Sequence, residues 1–92
     1  MKIVYSKTIV KDVRKIKNQQ IIQGIELVIE NIKNSKTLND IHQVKKLKGH
    51  PSACRIRIGD FRLGFYFENN TVKLARFVKR NDIYKVFPQG GK

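Results

Sequence analysis

Cys54-Arg55-Ile56-Arg57-Ile58-Gly59-Asp60-Phe61-Arg62-Leu63 is the stretch on which the reading of this chain turns. Ile56 and Ile58 alternate strictly with Arg55 and Arg57, the pattern of a strand with one buried face. Gly59-Asp60 reads as a two-residue hairpin loop. That loop sets a register in which Ile58 faces Phe61, Arg57 faces Arg62 and Ile56 faces Leu63. Residues opposed across antiparallel strands share a face, so Arg55, Arg57 and Arg62 gather on one side of the sheet. Like charges placed opposite one another are destabilising. An anion between them relieves the repulsion, and phosphate matches the guanidinium fork.

Working outward, the hairpin extends into three strands at about 53–58, 61–68 and 71–79, with Asn69-Asn70 as the second turn. Phe61, Leu63, Phe65 and Phe67 form the core face of the middle strand. Arg62, Gly64 and Tyr66 form the other. Strict alternation puts Arg76 on the apolar face, which requires either a bulge or an acidic partner. Upstream, Met1–Tyr5 reads as a short strand and Ser6 as the cap of a helix carrying Ile9, Val10, Val13 and Ile16. After a break near Lys17-Asn18, Ile21, Ile22, Ile25, Val28, Ile29 and Ile32 make the apolar stripe of a second helix closed by Asn34-Ser35. Gly24 within that stripe would let the first helix approach closely. Residues 36–51 fit a helical turn or a packed loop, with Leu38, Ile41, Val44 and Leu47 recurring every third residue and Lys45, Lys46 and Lys48 projecting. Residues 81–87 read as one helical turn. The order is β-α-α-β-β-β with a short C-terminal turn. This is an α+β fold, two helices on one face of a small antiparallel sheet and the arginines on the other.

The chain has 92 residues, room for a single domain over 1–88 with a short flexible tail at 89–92. Twenty lysines and arginines against seven acids give a net charge of +13. The excess is spread along the chain, so the folded body itself is basic and calls for nucleic acid or an acidic protein as partner. No basic amphipathic helix carries Trp or Phe on its apolar face, and no apolar run is long enough to span a bilayer, so no membrane partner and a cytoplasmic location are expected. One cysteine, Cys54, excludes disulfide scaffolds and multi-cysteine zinc sites and reads as a small apolar residue. His42 and His50 make no metal site.

Three segments together resemble the RelE/ParE superfamily of bacterial and archaeal toxins: Lys46-Leu47-Lys48-Gly49, the hairpin Cys54–Leu63, and Phe77-Val78-Lys79-Arg80-Asn81-Asp82-Ile83-Tyr84. The likeness extends over nearly the whole chain. It implies a microbial-ribonuclease type of fold, no cofactor, and a cognate acidic antitoxin as partner. RelE-like members act on the ribosome as mRNA endonucleases. ParE-like members share the fold and inhibit DNA gyrase, the alternative here, alongside a degenerate member that only binds antitoxin. Carried over by position, the RelE-like catalytic set falls on Arg57, Arg62, Arg80 and Tyr84. The first-strand pair of that site is Arg55 with Arg57, Arg55 being expected to contact RNA, and Lys79 rivals Arg80 for the closing basic position. Apart from the resemblance, Lys45, Lys46 and Lys48 either contact RNA or simply solubilise the protein, and Tyr66 on the arginine face is a candidate to stack on a base. The chain departs from many RelE-like enzymes in having arginines, not lysines, at 55 and 57. Arginine stays protonated, so the general base must be sought elsewhere, at Lys79, His50 or Tyr84.

Overall fold

The structure, a computed structural model, describes residues 1–88; the tail expected over 89–92 lies outside them. In chain order it comprises β1 (Lys2–Tyr5), α1 (Lys7–Arg14), α2 (Gln19–Asn34), a 3-10 turn (Leu38–Asp40), β2 (Val44–Lys46), β3 (Ala53–Ile58), β4 (Phe61–Glu68), β5 (Thr71–Lys79) and α3 (Ile83–Val86). The hairpin forms in the register its alternation sets: Ile58 pairs with Phe61, Arg57 with Arg62 and Ile56 with Leu63. Gly59 supplies φ +58° at the first loop position, the conformation glycine adopts without penalty.

The sheet has five strands in the order β1-β5-β4-β3-β2. It is mixed, not purely antiparallel. β1 runs parallel to β5, with Lys2 beside Thr71 and Tyr5 beside Leu74. The fifth strand, β2, comes from the segment read as a helical turn or loop. The third-residue spacing is used only at the 3-10 turn, after which the chain extends along β3, Val44 against Ile56 and Lys46 against Cys54. Three residues with two lysines are a typical short, charged edge strand.

Both helices start where their caps lie. The Ser6 hydroxyl accepts the Ile9 N–H, and the Asn18 carbonyl accepts those of Gln20 and Ile21. The helices cover one face of the sheet, where Ile9, Ile25 and Ile32 meet Ile56, Ile58, Leu63, Phe65, Val72, Leu74 and Phe77. Each such side chain, fully buried, contributes about 1.5–3 kcal/mol. Gly24 serves the sheet and not the first helix, since a Cβ there would lie 2.9 Å from Cγ2 of Ile58 on β3.

Both devices foreseen for Arg76 are present. A bulge leaves Ala75 unpaired between Gly64↔Arg76 and Phe65↔Leu74, and so returns Phe77 to the core face. The Arg76 guanidinium donates to both carboxylate oxygens of Asp12, at 2.8 and 3.2 Å, and the Phe77 N–H donates to Asp12 at 2.9 Å. Asp12, which sits among basic residues on α1, is therefore buried, at 6% exposure.

The opposite face is not wholly open. α3 folds back over it and closes a second small core of Ala53, Ile83 and Phe87, flanked by Tyr66, Ala75 and Val78. Among the described residues no helix is long and apolar enough to cross a membrane.

Candidate functional site

The face opposite the helices carries the basic cluster. β3 presents Arg55 and Arg57, β4 presents Arg62 directly opposite Arg57, and β2 adds Lys45, paired with Arg55. With Gln43 these four cations line a solvent-open cavity of about 290 Å³, and no carboxylate is among its lining residues. β-sheet geometry alone produces the cluster, because the strand period places every second residue on the same side.

Arg62 is the hub. Its Nη1 donates to the Gly59 carbonyl at 3.2 Å and to the Phe61 carbonyl at 2.9 Å, which folds the side chain onto its own hairpin turn. Its other guanidinium donors have no partner among the described residues. The guanidinium is held below the ordinary arginine range, first by partial removal from water and then by the charges of Arg55, Arg57 and Arg80, with Tyr84 acting in the opposite direction. Arg62 therefore stands within electrostatic reach of four other site candidates at once. Arg80 is brought in by the chain itself: its N–H donates to the Asp60 carbonyl at 2.9 Å, tying the end of β5 to the hairpin loop. Tyr84 follows on α3 and is 61% exposed, so its ring is presented to solvent and not laid on the sheet as an ordinary packed tyrosine would be.

Arg55 carries a second sign of anion chemistry. Its Nε is buried yet has no hydrogen-bond partner among the described residues. A buried N–H without an acceptor costs about 1–3 kcal/mol. Arg55 also lines the cavity, so an oxyanion entering it meets this guanidinium together with the fork of Arg62.

The remaining candidates divide. Lys45 joins the cluster. Lys46 pairs with Cys54 and so lies on the helix side of the sheet, where its charge is felt by the Cys54 thiol. Burial nonetheless pushes that thiol up, so Cys54, 1% exposed, stays neutral and acts as core. Lys48 is exposed in the loop after β2, away from the cavity lining. Lys79 pairs with Phe61, whose ring stacks on Phe77 in the main core, so it too belongs to the helix side, which favours Arg80 as the closing basic residue. Tyr66 is on the arginine face, but its ring packs against Phe87 at 5.1 Å. His50 lies with Lys46, Leu47 and Pro51 on a separate surface. Gln43, which no motif marked, lines the cavity through a backbone at φ +59° just before β2. Among the described residues no grouping of three or more His, Cys, Asp or Glu could hold a metal ion.

A second surface lies on the helix side. Tyr5, Ile9, Val10, Val13, Ile29 and Phe77 are among the lining of a groove of about 240 Å³, apolar but for Arg14 and Tyr5. Tyr5 and Val10 are 50% and 40% exposed. Lys7, Lys11 and Arg14 stand on the same helix, α1.

No protein-family model matches the chain. Over 89 residues it is 38% identical to Toxin RelE3 of Methanocaldococcus jannaschii, a match covering 96% of this chain and 100% of that protein. The crystal structure of a RelB-RelE antitoxin-toxin complex from Methanococcus jannaschii is similar at a TM-score of 0.77 and 35% identity, covering 92% of this chain and 99% of that one. The YoeB-YefM complex from Staphylococcus aureus shares the fold at a TM-score of 0.69 and 21% identity, covering 87% and 97%. These relatives give no support to the gyrase-inhibitor alternative.

Proposed function

Because the chain belongs to the RelE family of toxins, we propose that it is the toxin of a type II toxin–antitoxin pair and cleaves mRNA on the ribosome without a metal ion. The observation that carries the reading is the geometry around Arg62: it stands directly opposite Arg57, shares a cavity with Arg55 and Lys45, and has Arg80 tied to its hairpin loop.

RNA cleavage of this kind begins with attack of the 2′-oxygen on the adjacent phosphorus. The 2′-OH proton leaves to a base, the P–O5′ bond breaks, and the 5′-oxygen takes a proton. Negative charge builds on the phosphorane oxygens in between. Arg57 and Arg62, opposed across the hairpin, are suited to grip those oxygens, with Arg80 beside them and Arg55 and Lys45 holding the flanking backbone. The arginines remain protonated throughout and cannot accept the proton. Of the four groups that act on Arg62, Tyr84 alone is not a cation, so its phenol is assigned the protonation of the departing 5′-oxygen, while the 2′-OH proton passes to water in the open cavity. The cavity is shallow and open, which suits an enzyme whose substrate strand is oriented by a larger body, here the ribosome.

The cognate partner is an acidic antitoxin, the kind of protein that the RelB chain is to RelE in the Methanococcus jannaschii complex. The apolar groove beside the basic face of α1 suits a segment with apolar residues on one side and acids on the other. The pair acts in the cytoplasm, where the ribosomes are.

Removing one transition-state donor costs about 10²–10³ in rate. Arg62→Ala is expected to lose that much in single-turnover cleavage on programmed ribosomes while remaining folded. Tyr84→Phe is expected to fall strongly as well; near-wild-type cutting by that variant would reduce the ring to a stacking platform. An Arg62→Ala protein that folds and cuts at the wild-type rate overturns the site.

A further inference from the structure

We propose that Phe87, seated on Gly64, is the positioning residue that holds Tyr84 toward Arg62; the proposal rests on the ribonuclease reading above. Gly64 stands in β4, at the centre of the sheet, where glycine weakens a strand. Its backbone is not among those with positive φ, so conformation does not demand glycine there. Space does. A Cβ at position 64 would lie 2.7 Å from Cδ2, 2.8 Å from Cγ and 2.9 Å from Cε2 of Phe87. The ring thus lies flat on the strand, in the place a side chain would fill.

α3 is four residues long, far too short to persist as a helix unaided. Two side chains anchor it, Ile83 and Phe87, each 1% exposed, and the Phe87 N–H donates to the Ile83 carbonyl at 2.8 Å to close the turn. Tyr84, the residue after Ile83, is exposed while its two neighbours in the turn are anchored. Its attitude toward Arg62 is inherited from the position of the ring below. Seat and cavity adjoin: Gly64 pairs with Arg55 and lies two residues from Arg62 on the same face.

A methyl group at position 64 lifts Phe87 and α3 with it, while Arg55, Arg57 and Arg62 stay fixed on their strands. Gly64→Ala is therefore expected to lower kcat about 10- to 100-fold with KM held within about twofold. Phe87→Leu, which keeps the site apolar but loses the ring, is expected to lower kcat in the same direction. In a double-mutant cycle, Gly64→Ala should have little further effect once Tyr84→Phe has removed the hydroxyl. A purely structural role predicts lower melting temperature with kcat unchanged below it, and full additivity with Tyr84→Phe.

A second readout is independent of cleavage. With 13C-labelled tyrosine, the Tyr84 ring signal is assigned by its loss in Tyr84→Phe. It is expected to shift on Arg62→Ala in the wild-type background and to stay put on the same change in Gly64→Ala or Phe87→Leu. If the wild-type chain makes no cuts on the ribosome, the ribonuclease reading falls and the tyrosine signal alone judges the seat. The positioning proposal is overturned when folded Gly64→Ala and Phe87→Leu proteins retain the wild-type Tyr84 signal and its response to Arg62, or cut at the wild-type rate.

Discussion

Asp12 has one carboxylate and three donors: two from Arg76 and the N–H of Phe77. It joins α1 to the β5 bulge, so its removal strands a guanidinium and a backbone N–H in one step. Breaking one side of a buried pair costs about 3–5 kcal/mol. Arg76 keeps 25% exposure and water can reach it, which puts Asp12→Ala at about 2–3 kcal/mol. Asp12→Asn, with one acceptor oxygen retained, should lose less. Urea unfolding midpoints at unchanged m-value measure both; an Asp12→Ala midpoint equal to wild type would mean that Arg76 alone holds the bulge. In sequence, Asp12 gave no sign of this, because its neighbours Lys11, Arg14 and Lys15 make the helix face look uniformly solvated. Arg76 did give one: an arginine in phase with Val72 and Leu74 demands either a shift of register or an acid. The arginine cluster was equally legible, since it needs only the strand period and the length of one loop. Gln43 was not legible at all, as it enters the cavity through its own left-handed backbone.

At the scale of elements, the turns set the sheet. Asn69 and Asn70 have φ of +51° and +57°, the pair of left-handed residues a type I′ hairpin requires. Asn tolerates that region better than other non-glycine residues, at a cost for alanine of about 1–2 kcal/mol. Asn70→Gly is expected to raise the melting temperature or leave it unchanged, and Asn70→Ala to lower it. A rise with alanine would contradict the turn assignment. The strands of both hairpins were readable because turn residues and alternation agree on one register. β2 was not, since three residues carry too little alternation and a third-residue spacing of Leu38, Ile41, Val44 and Leu47 imitates a helix. The parallel pairing of β1 with β5 was hidden for another reason: parallel strands have no turn between them to announce it. α3 was visible as a turn, but not as the lid of a second core, because its anchors Ile83 and Phe87 acquire meaning only against the bare backbone at Gly64.

For the whole molecule the net charge is +13, and the described residues, which carry all of it but Lys92, form a body about 32 × 31 × 22 Å. Self-repulsion of this size weakens the free fold and strengthens long-range attraction to an acidic partner. Raising ionic strength from about 0.05 to about 0.5 M shortens the Debye length from over 10 Å to a few ångströms. The melting temperature of the free toxin should then rise, while stopped-flow association with its antitoxin slows steeply and dissociation changes little. An association rate indifferent to salt would remove charge from the encounter. The groove and the arginine cavity lie on opposite faces, so a partner seated in the first does not thereby fill the second. The parallel β1–β5 pair also bears on how such a protein is made. The first four strand residues find their partners only at Thr71–Leu74, and the segment bearing Arg80 and Tyr84 comes later still. A growing chain therefore cannot dock its first strand into the sheet until Thr71–Leu74 have been made, nor complete the basic face until Arg80 and Tyr84 follow, so fold and site are finished together.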